Sequence, residues 1–185
     1  VYTGGLYINS GTLRLSGASV QVGLPAAASQ TFLRQNAVLD LNGAGSSPVL
    51  YSGTTTQLPQ IAFAPLMGAG LVTNQSATPS AIILGTAAST GNASFTGLIQ
   101  DGASQLSVIK QGGYSQYLTG WNTYTGPTVI SGGNLYFALP NVPLTSPVTT
   151  LNIGSASPIG RGDATSAASN AASLVFNGGL LGYTG

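Results

Sequence analysis

Short alternating runs, broken every few residues by Gly, Asn, Ser or Pro, recur along this chain, and no stretch of 11 or more residues keeps a helical period. In Gly11–Gly23, Leu13 and Leu15 share one face with Arg14 opposite. After a Ser-Gly turn, Val20 and Val22 repeat the pattern around Gln21. Ala37–Gly43 sends Leu39 and Leu41 one way and Asp40 the other, which reads Asp40 as a solvated strand residue. Strands of four to six residues are expected again in Ser80–Gly85, Gln105–Gly113, Pro127–Phe137 and Ser173–Gly185. The class is all-β. Corners of two or three residues, such as "NSG", "SGG" and "NGG", let a chain wind in one direction as a solenoid. They serve hairpins equally well, and turn chemistry alone does not choose.

The composition supports strands and tight turns. Of 185 residues, 27 are Gly, 21 Ser and 20 Thr, while 43% are hydrophobic. Only 4% are charged, against a usual value of about 25%. The cations are Arg14, Arg34, Lys110 and Arg161, and the anions are Asp40, Asp101 and Asp163. A net charge of +1 gives no electrostatic footprint for nucleic acid or anionic lipid. No window reaches the run of about 18 apolar residues that a membrane-spanning helix needs. The chain reads as one domain over residues 1–185, without a sharp internal boundary. Gly23–Gln30, Ala138–Pro147 and the polar stretch Gly160–Ser173 are expected as projecting loops.

One phrase occurs twice. Tyr2, Thr3, Gly4, Ile8, Gly11 and Leu13 are repeated as Tyr124, Thr125, Gly126, Ile130, Gly133 and Leu135, six identities in fourteen positions at an offset of 122 residues. These are the residue types of a strand–corner–strand unit, with apolar wall positions and glycine at the corners. An aromatic-Thr-Gly triplet also stands at Phe95–Gly97 and Tyr183–Gly185. Its spacings from Tyr124, 29 and 59 residues, are loosely those of stacked coils.

The ordered series Ala37–Gly43, Gly68–Gly85, Ser94–Gly102, Leu106–Gly113, Leu118–Phe137, Ser157–Gly162 and Leu174–Gly185 resembles the autotransporter-associated β-strand repeat of bacterial surface proteins. The Asn-Thr-Tyr-Thr-Gly and Asn-Gly-Gly blocks carry most of the likeness. The resemblance implies a right-handed parallel β-helix displayed outside the cell, as part of a long passenger. The expected role is structural: to extend, display or self-associate. Because the sequence begins and ends inside repeat phrases, open end coils are expected, available to a second copy or to neighbouring repeats. The alternative is an adhesin-type module whose loops hold glycan or a host protein.

The residues offer little chemistry. Without His or Cys there is no imidazole base, no serine triad and no usual zinc site. No cofactor or metal is expected. The three aspartates stand in separate motifs, read as turn formers or solvated positions rather than as a glycosidase pair. Lys110 reads as a lone charge at a strand end. Arg161, Gly162 and Asp163 match a tripeptide that integrins recognise and form a candidate adhesion loop. Asn74–Ser76 and Asn92–Ser94 fit the N-glycosylation pattern but read as corner sequences. Tyr114, Tyr117 and Trp121 read as an aromatic stack between coils.

Overall fold

The computed structural model describes residues 5–17, 30–44, 46–49, 58–63, 65–85, 90–138 and 154–184. Tyr2, Thr3 and Gly4 of the first repeat copy lie outside the described residues, as do nearly all of Gly23–Gln30 and Ala138–Pro147.

The strands come in successive passes. The first pass holds β1 (Leu6–Ile8) and β2 (Gly11–Arg14). The second holds β3 (Thr31–Leu33), β4 (Ala37–Asp40), β5 (Ser46–Val49) and β6 (Leu58–Phe63). The third holds β7 (Leu66–Gly68), β8 (Leu71–Thr73) and β9 (Ser80–Leu84), and the fourth β10 (Asn92–Phe95), β11 (Leu98–Ile99) and β12 (Leu106–Lys110). Then come β13 (Ser115–Leu118) and β14 (Thr128–Ile130), β15 (Asn134–Phe137), the short helix α1 (Ala167–Ala172), β16 (Leu174–Phe176), and β17 (Leu180–Tyr183).

Three sheets result. Sheet A has the order β1-β3-β7-β10-β13-β15-β17, sheet B β11-β8-β4-β2, and sheet C β16-β14-β12-β9-β6-β5. Among the described residues every strand pair is parallel except β5 with β6. The protein is thus an all-β, mainly parallel structure, and between β3 and β12 the described chain visits A, B and C in turn. Two-residue corners serve here as links between sheets rather than as hairpin turns.

The core lies between the sheets. Leu33, Leu66, Phe95, Leu118 and Leu135 come from sheet A, Leu39, Val72 and Ile99 from B, and Phe63, Ile82, Leu84, Val108 and Ile130 from C, all in one buried cluster. Such alternation into a shared interior is what strands this short need, since each alone buries too little apolar area. Sheet C is apolar on both faces: Ala81, Ile109 and Val129 form a second small cluster with Ile83 and Val175.

Close stacking fixes the glycines at the corner from A to B. A Cβ on Gly97 would fall 2.0 Å from the carbonyl oxygen of Gly70, and one on Gly120 would fall 1.8 Å from that of Gly97. The Phe95-Thr96-Gly97 triplet is therefore a backbone-contact requirement, repeated at Leu118-Thr119-Gly120 without the aromatic residue. Phe95, Leu118, Phe137 and Tyr183 occupy one register row across sheet A.

The twin phrases sit at different corners. Ile8 ends β1 in sheet A and Leu13 lies in β2 of sheet B, whereas Ile130 ends β14 in sheet C and Leu135 lies in β15 of sheet A. They share a strand–corner–strand design but not a position around the stack. Tyr124 precedes β14 and is outside the Phe95–Tyr183 row, so the 29- and 59-residue spacings do not measure a pass. Within that row the steps are 23 residues (Phe95 to Leu118), 19 (Leu118 to Phe137) and 46 (Phe137 to Tyr183). The stretch expected as a polar loop at Gly160–Ser173 contains α1 instead. The Ser166 side chain accepts from the Ser169 backbone N–H and starts this helix, whose six residues are too few to carry a periodic signal.

Candidate functional site

Three polar groupings stand out, and the first is the corner from B to C. Here backbone N–H groups leave the ladder and side-chain oxygens take them up. Asp40 Oδ1 accepts from Asn42 N (3.0 Å) and from Gln75 N (2.9 Å) of the next pass. Its Oδ2 meets Arg14 Nε at 2.8 Å. Asp40 is 1% exposed, so the solvated reading of this residue is corrected: the strand ends there, and its side chain turns onto the corner backbone. Asn74 continues the pattern. Its Oδ1 accepts from Gly43 N (3.1 Å), and its Nδ2 donates to Thr78 O (2.9 Å) and Gln105 O (3.3 Å). A buried amide engaged on both ends is a corner clamp, not a glycan acceptor.

Asp101 and Asn122 extend this corner. Asp101 Oδ1 accepts from Leu106 N (2.8 Å), and its Oδ2 accepts from Thr125 Oγ1 (2.7 Å). That explains Thr125 in the repeated block. Asn122 accepts from Ile99 N (2.8 Å) and donates to Pro158 O (2.6 Å). Its backbone bridges Ser157 in antiparallel sense. Tyr124 is fully buried, and burial raises its phenol well above the ordinary value. Thr128 Oγ1 donates to Ile159 O at 2.9 Å, so the Tyr124 hydroxyl donates to Thr128 at 2.7 Å. Gly126 lies against Leu106 O, where a Cβ would stand 2.3 Å away.

The second grouping is the corner from C to A. Lys110 is wholly buried rather than a free charge at a strand end. Its Nζ donates to Gln111 O (2.5 Å), Gly112 O (3.2 Å) and Gly132 O (3.4 Å), and it stands 3.9 Å from the Tyr114 ring centre. Three carbonyls and an aromatic face support a cation there. Burial pushes its pKa down to about 8 and raises that of Tyr114. Gly133 closes the corner at φ +62, with Gly112 O 2.1 Å from where its Cβ would be. Nearby, Gln116 Nε2 donates to Leu66 O (2.9 Å), and its Oε1 accepts from Leu66 N (3.1 Å) and the Tyr114 hydroxyl (2.9 Å). Strands β10 and β7 pair only at Phe95 with Gly68. The Gln116 amide thus satisfies a Leu66 peptide that β10 leaves unpaired. The aromatic trio divides: Tyr117 stacks on Tyr136 at 4.9 Å, Tyr114 lies under Lys110, and Trp121 is 40% exposed.

The third grouping holds Arg161, Gly162 and Asp163. Arg161 Nε donates to Gly154 O (2.7 Å), and Arg161 O accepts from Asn170 Nδ2 (2.8 Å). Gly162 is buried, and Asp163 N donates to Ser173 Oγ (2.8 Å). The tripeptide is pinned against α1 rather than carried on a protruding tip. Hydrogen bonds from Thr165 lower the exposed Asp163 carboxyl. Beside it, Ser155, Gly160, Arg161, Asn170 and Ser173 line part of an open cleft of about 400 Å³.

The remaining repeat positions are structural. Ile8, Ile130 and Leu135 are core residues, Leu13 packs against them, and Gly11 turns the first A-to-B corner at φ +78. Among the described residues, no three Asp, Glu, His or Cys side chains gather where a metal ion could be held. The three aspartates are engaged in separate networks. Sequence reasoning missed Lys110 and Gln116: Lys110 folds back onto its own corner, at Gln111 O, Gly112 O and the Tyr114 ring, and Gln116 reaches Leu66 and Ala93 in other passes. No helix among the described residues is long and apolar enough to cross a membrane. One surface is apolar: at the edges of sheets A and C, Phe176, Leu180 and Tyr183 are 57%, 47% and 53% exposed. No family model, no curated protein and no solved structure matches the chain.

Proposed function

We propose that the three sheets are the walls of a right-handed parallel β-helix, and that the protein is a structural segment of a bacterial surface or secreted protein. Its work is to extend or display by stacking passes end to end. The resemblance to the autotransporter-associated repeat supports this reading. The observation that carries it is the edge at β16 and β17. Both strands are the last in their sheets. In a parallel ladder, alternate residues aim their N–H and C=O away from the paired strand. Leu180 N and Thr184 N donate to β15 and its preceding corner, which leaves Leu181 and Tyr183 facing outward. Among the described residues nothing pairs with these groups, and beside exposed Phe176, Leu180 and Tyr183 they are a template for a further strand.

Sedimentation and electron microscopy over a concentration series test the reading. End-to-end association is expected for the wild type. It should be lost in Phe176→Lys/Tyr183→Lys, with the unfolding midpoint little changed because both side chains are exposed. A wild type that stays monomeric at all concentrations would remove the self-stacking role. The second reading, a binding module, rests on the cleft beside Arg161. A glycan array on the wild type and Arg161→Ala separates it from the first.

A further inference from the structure

The sequence contains two Asn-Gly steps, Asn42–Gly43 and Asn177–Gly178. They are chemically identical as dipeptides, and the fold treats them in opposite ways. We propose that Asn177 is a site of spontaneous covalent modification, converting to aspartate and isoaspartate, while Asn42 is locked against the same reaction.

The reaction needs the backbone nitrogen of the glycine and the side-chain carbon of the asparagine. The Gly178 N–H gives its proton to solvent base, and the nitrogen attacks Asn177 Cγ. A new N–Cγ bond closes a five-membered imide, the bond from Cγ to Nδ2 breaks, and Nδ2 leaves as ammonia after taking a proton from water. Water then adds to one imide carbonyl or the other. One opening gives aspartate; the other gives isoaspartate, with the chain running through the former side chain. No oxidant or reductant takes part. Glycine favours the attack because no Cβ obstructs the nitrogen's approach.

At Asn177 the two reacting groups are unheld. Asn177 and Gly178 are exposed. Among the described residues, neither the Asn177 side chain nor the Gly178 N–H has a hydrogen-bond partner. Gly178 sits at φ +121 with no atom closer than 3.4 Å to where a Cβ would stand, so the corner has room to rearrange. The backbone is anchored on either side of the step, by Asn177 N donating to Ile130 O at 2.8 Å and Leu180 N donating to Gly133 O at 2.9 Å, and the attacking nitrogen between them is not.

At Asn42 each reacting atom is held. Its Nδ2, the leaving group, donates to Leu15 O at 3.1 Å. The attacking nitrogen of Gly43 donates to Oδ1 of buried Asn74 at 3.1 Å. Asn42 N is fixed on Asp40 Oδ1 at 3.0 Å. A Cβ at Gly43 would meet Ser76 Oγ at 2.5 Å, so the next pass crowds the glycine as well. Reaction there must wait for a local opening of the corner.

The modification matters on so nearly chargeless a surface. The formal net charge is +1, and one new carboxylate brings it to zero. That charge would stand in the corner between β16 and β17. The inference is independent of what those strands pack against.

The test is timed incubation of the folded protein in mildly alkaline buffer, with peptide mapping by mass spectrometry and isoelectric focusing. The Asn177 peptide should gain the mass of an amide-to-acid exchange and split into two isomers. It should do so at least about tenfold faster than the Asn42 peptide, since three hydrogen bonds protect the latter. In denaturant the two rates should converge. Asn177→Gln should abolish the acidic band that accumulates in the wild type. Equal rates at both sites in the folded protein, a faster Asn42, or a difference that persists in denaturant would overturn the proposal.

Discussion

The two corners that flank sheet C face opposite shortages. Entering the sheet, between B and C, the charged side chains meet loose N–H donors: Asn42 N and Gln75 N on Asp40 and Leu106 N on Asp101, while the Asn74 amide takes Gly43 N and gives to Thr78 O and Gln105 O. Leaving it, between C and A, the loose groups are carbonyls, and Lys110 gathers those of Gln111, Gly112 and Gly132. The side chain at each corner follows from which half of the peptide is left over. It also explains how a chain with seven charged residues places three of them, Asp40, Asp101 and Lys110, inside corners, where a charge-assisted bond is stronger than a neutral one.

The largest effect should come from geometry rather than charge. Gly133→Ala puts a Cβ against Gly112 O and demands a positive φ, so a loss of about 3 kcal/mol or more is expected in urea unfolding. Asp101→Ala comes next. It strips acceptors from Leu106 N, Thr125 N and Thr125 Oγ1, at a cost of about 2–3 kcal/mol. If Asp101→Ala proves milder than Lys110→Met, the contrast between the corners fails. Lys110→Met should cost about 1–2 kcal/mol, because orphaned carbonyls are offset by removing a buried charge.

The most diagnostic expectation is the pH dependence. Lys110 loses its proton at about pH 8 in the folded protein, against an ordinary 10.5 when unfolded. Between those values the unfolded chain binds more protons, so stability rises with pH, at up to about 1.4 kcal/mol per unit. Tyr114 and Tyr124 have the opposite sign. Their folded values lie above the ordinary 10.0, so above about pH 10 the unfolded phenols ionise first and stability falls. A maximum near pH 10 is expected in thermal melts, with the rising limb absent in Lys110→Met. A flat wild-type profile from pH 8 to 10 would show that carbonyls and ring fully compensate the burial.

The strands were legible because their alternation is local. Ala37–Asp40, Thr128–Phe137 and Leu174–Tyr183 lie where apolar residues alternate around Gly and Asn. Most of what stayed hidden depends on other passes. Asp40 alternates with leucines as a solvated residue would, yet its partners, Arg14 and Gln75, lie 26 and 35 residues away. Lys110 sits at a strand end, and its fold back onto Gln111 O, Gly112 O and the Tyr114 ring, beside Gly132 O, leaves no mark on the alternation. The twin phrases show the same limit. Their glycines announce a corner without saying which one, because Gly11 and Gly133 turn the chain equally well at A-to-B and C-to-A.

Gln116 has a consequence for how the stack comes apart. In a repeat structure each layer normally touches only the next, and the stack unravels layer by layer from a free end. The Gln116 amide instead reaches Leu66, 50 residues earlier and two passes away, while also donating to Ala93 O at 3.3 Å in the pass between. Three layers are riveted by one side chain. Under a pulling force, peeling from either end should stall at that rivet, and the passes holding Leu66, Ala93 and Gln116 should give way together.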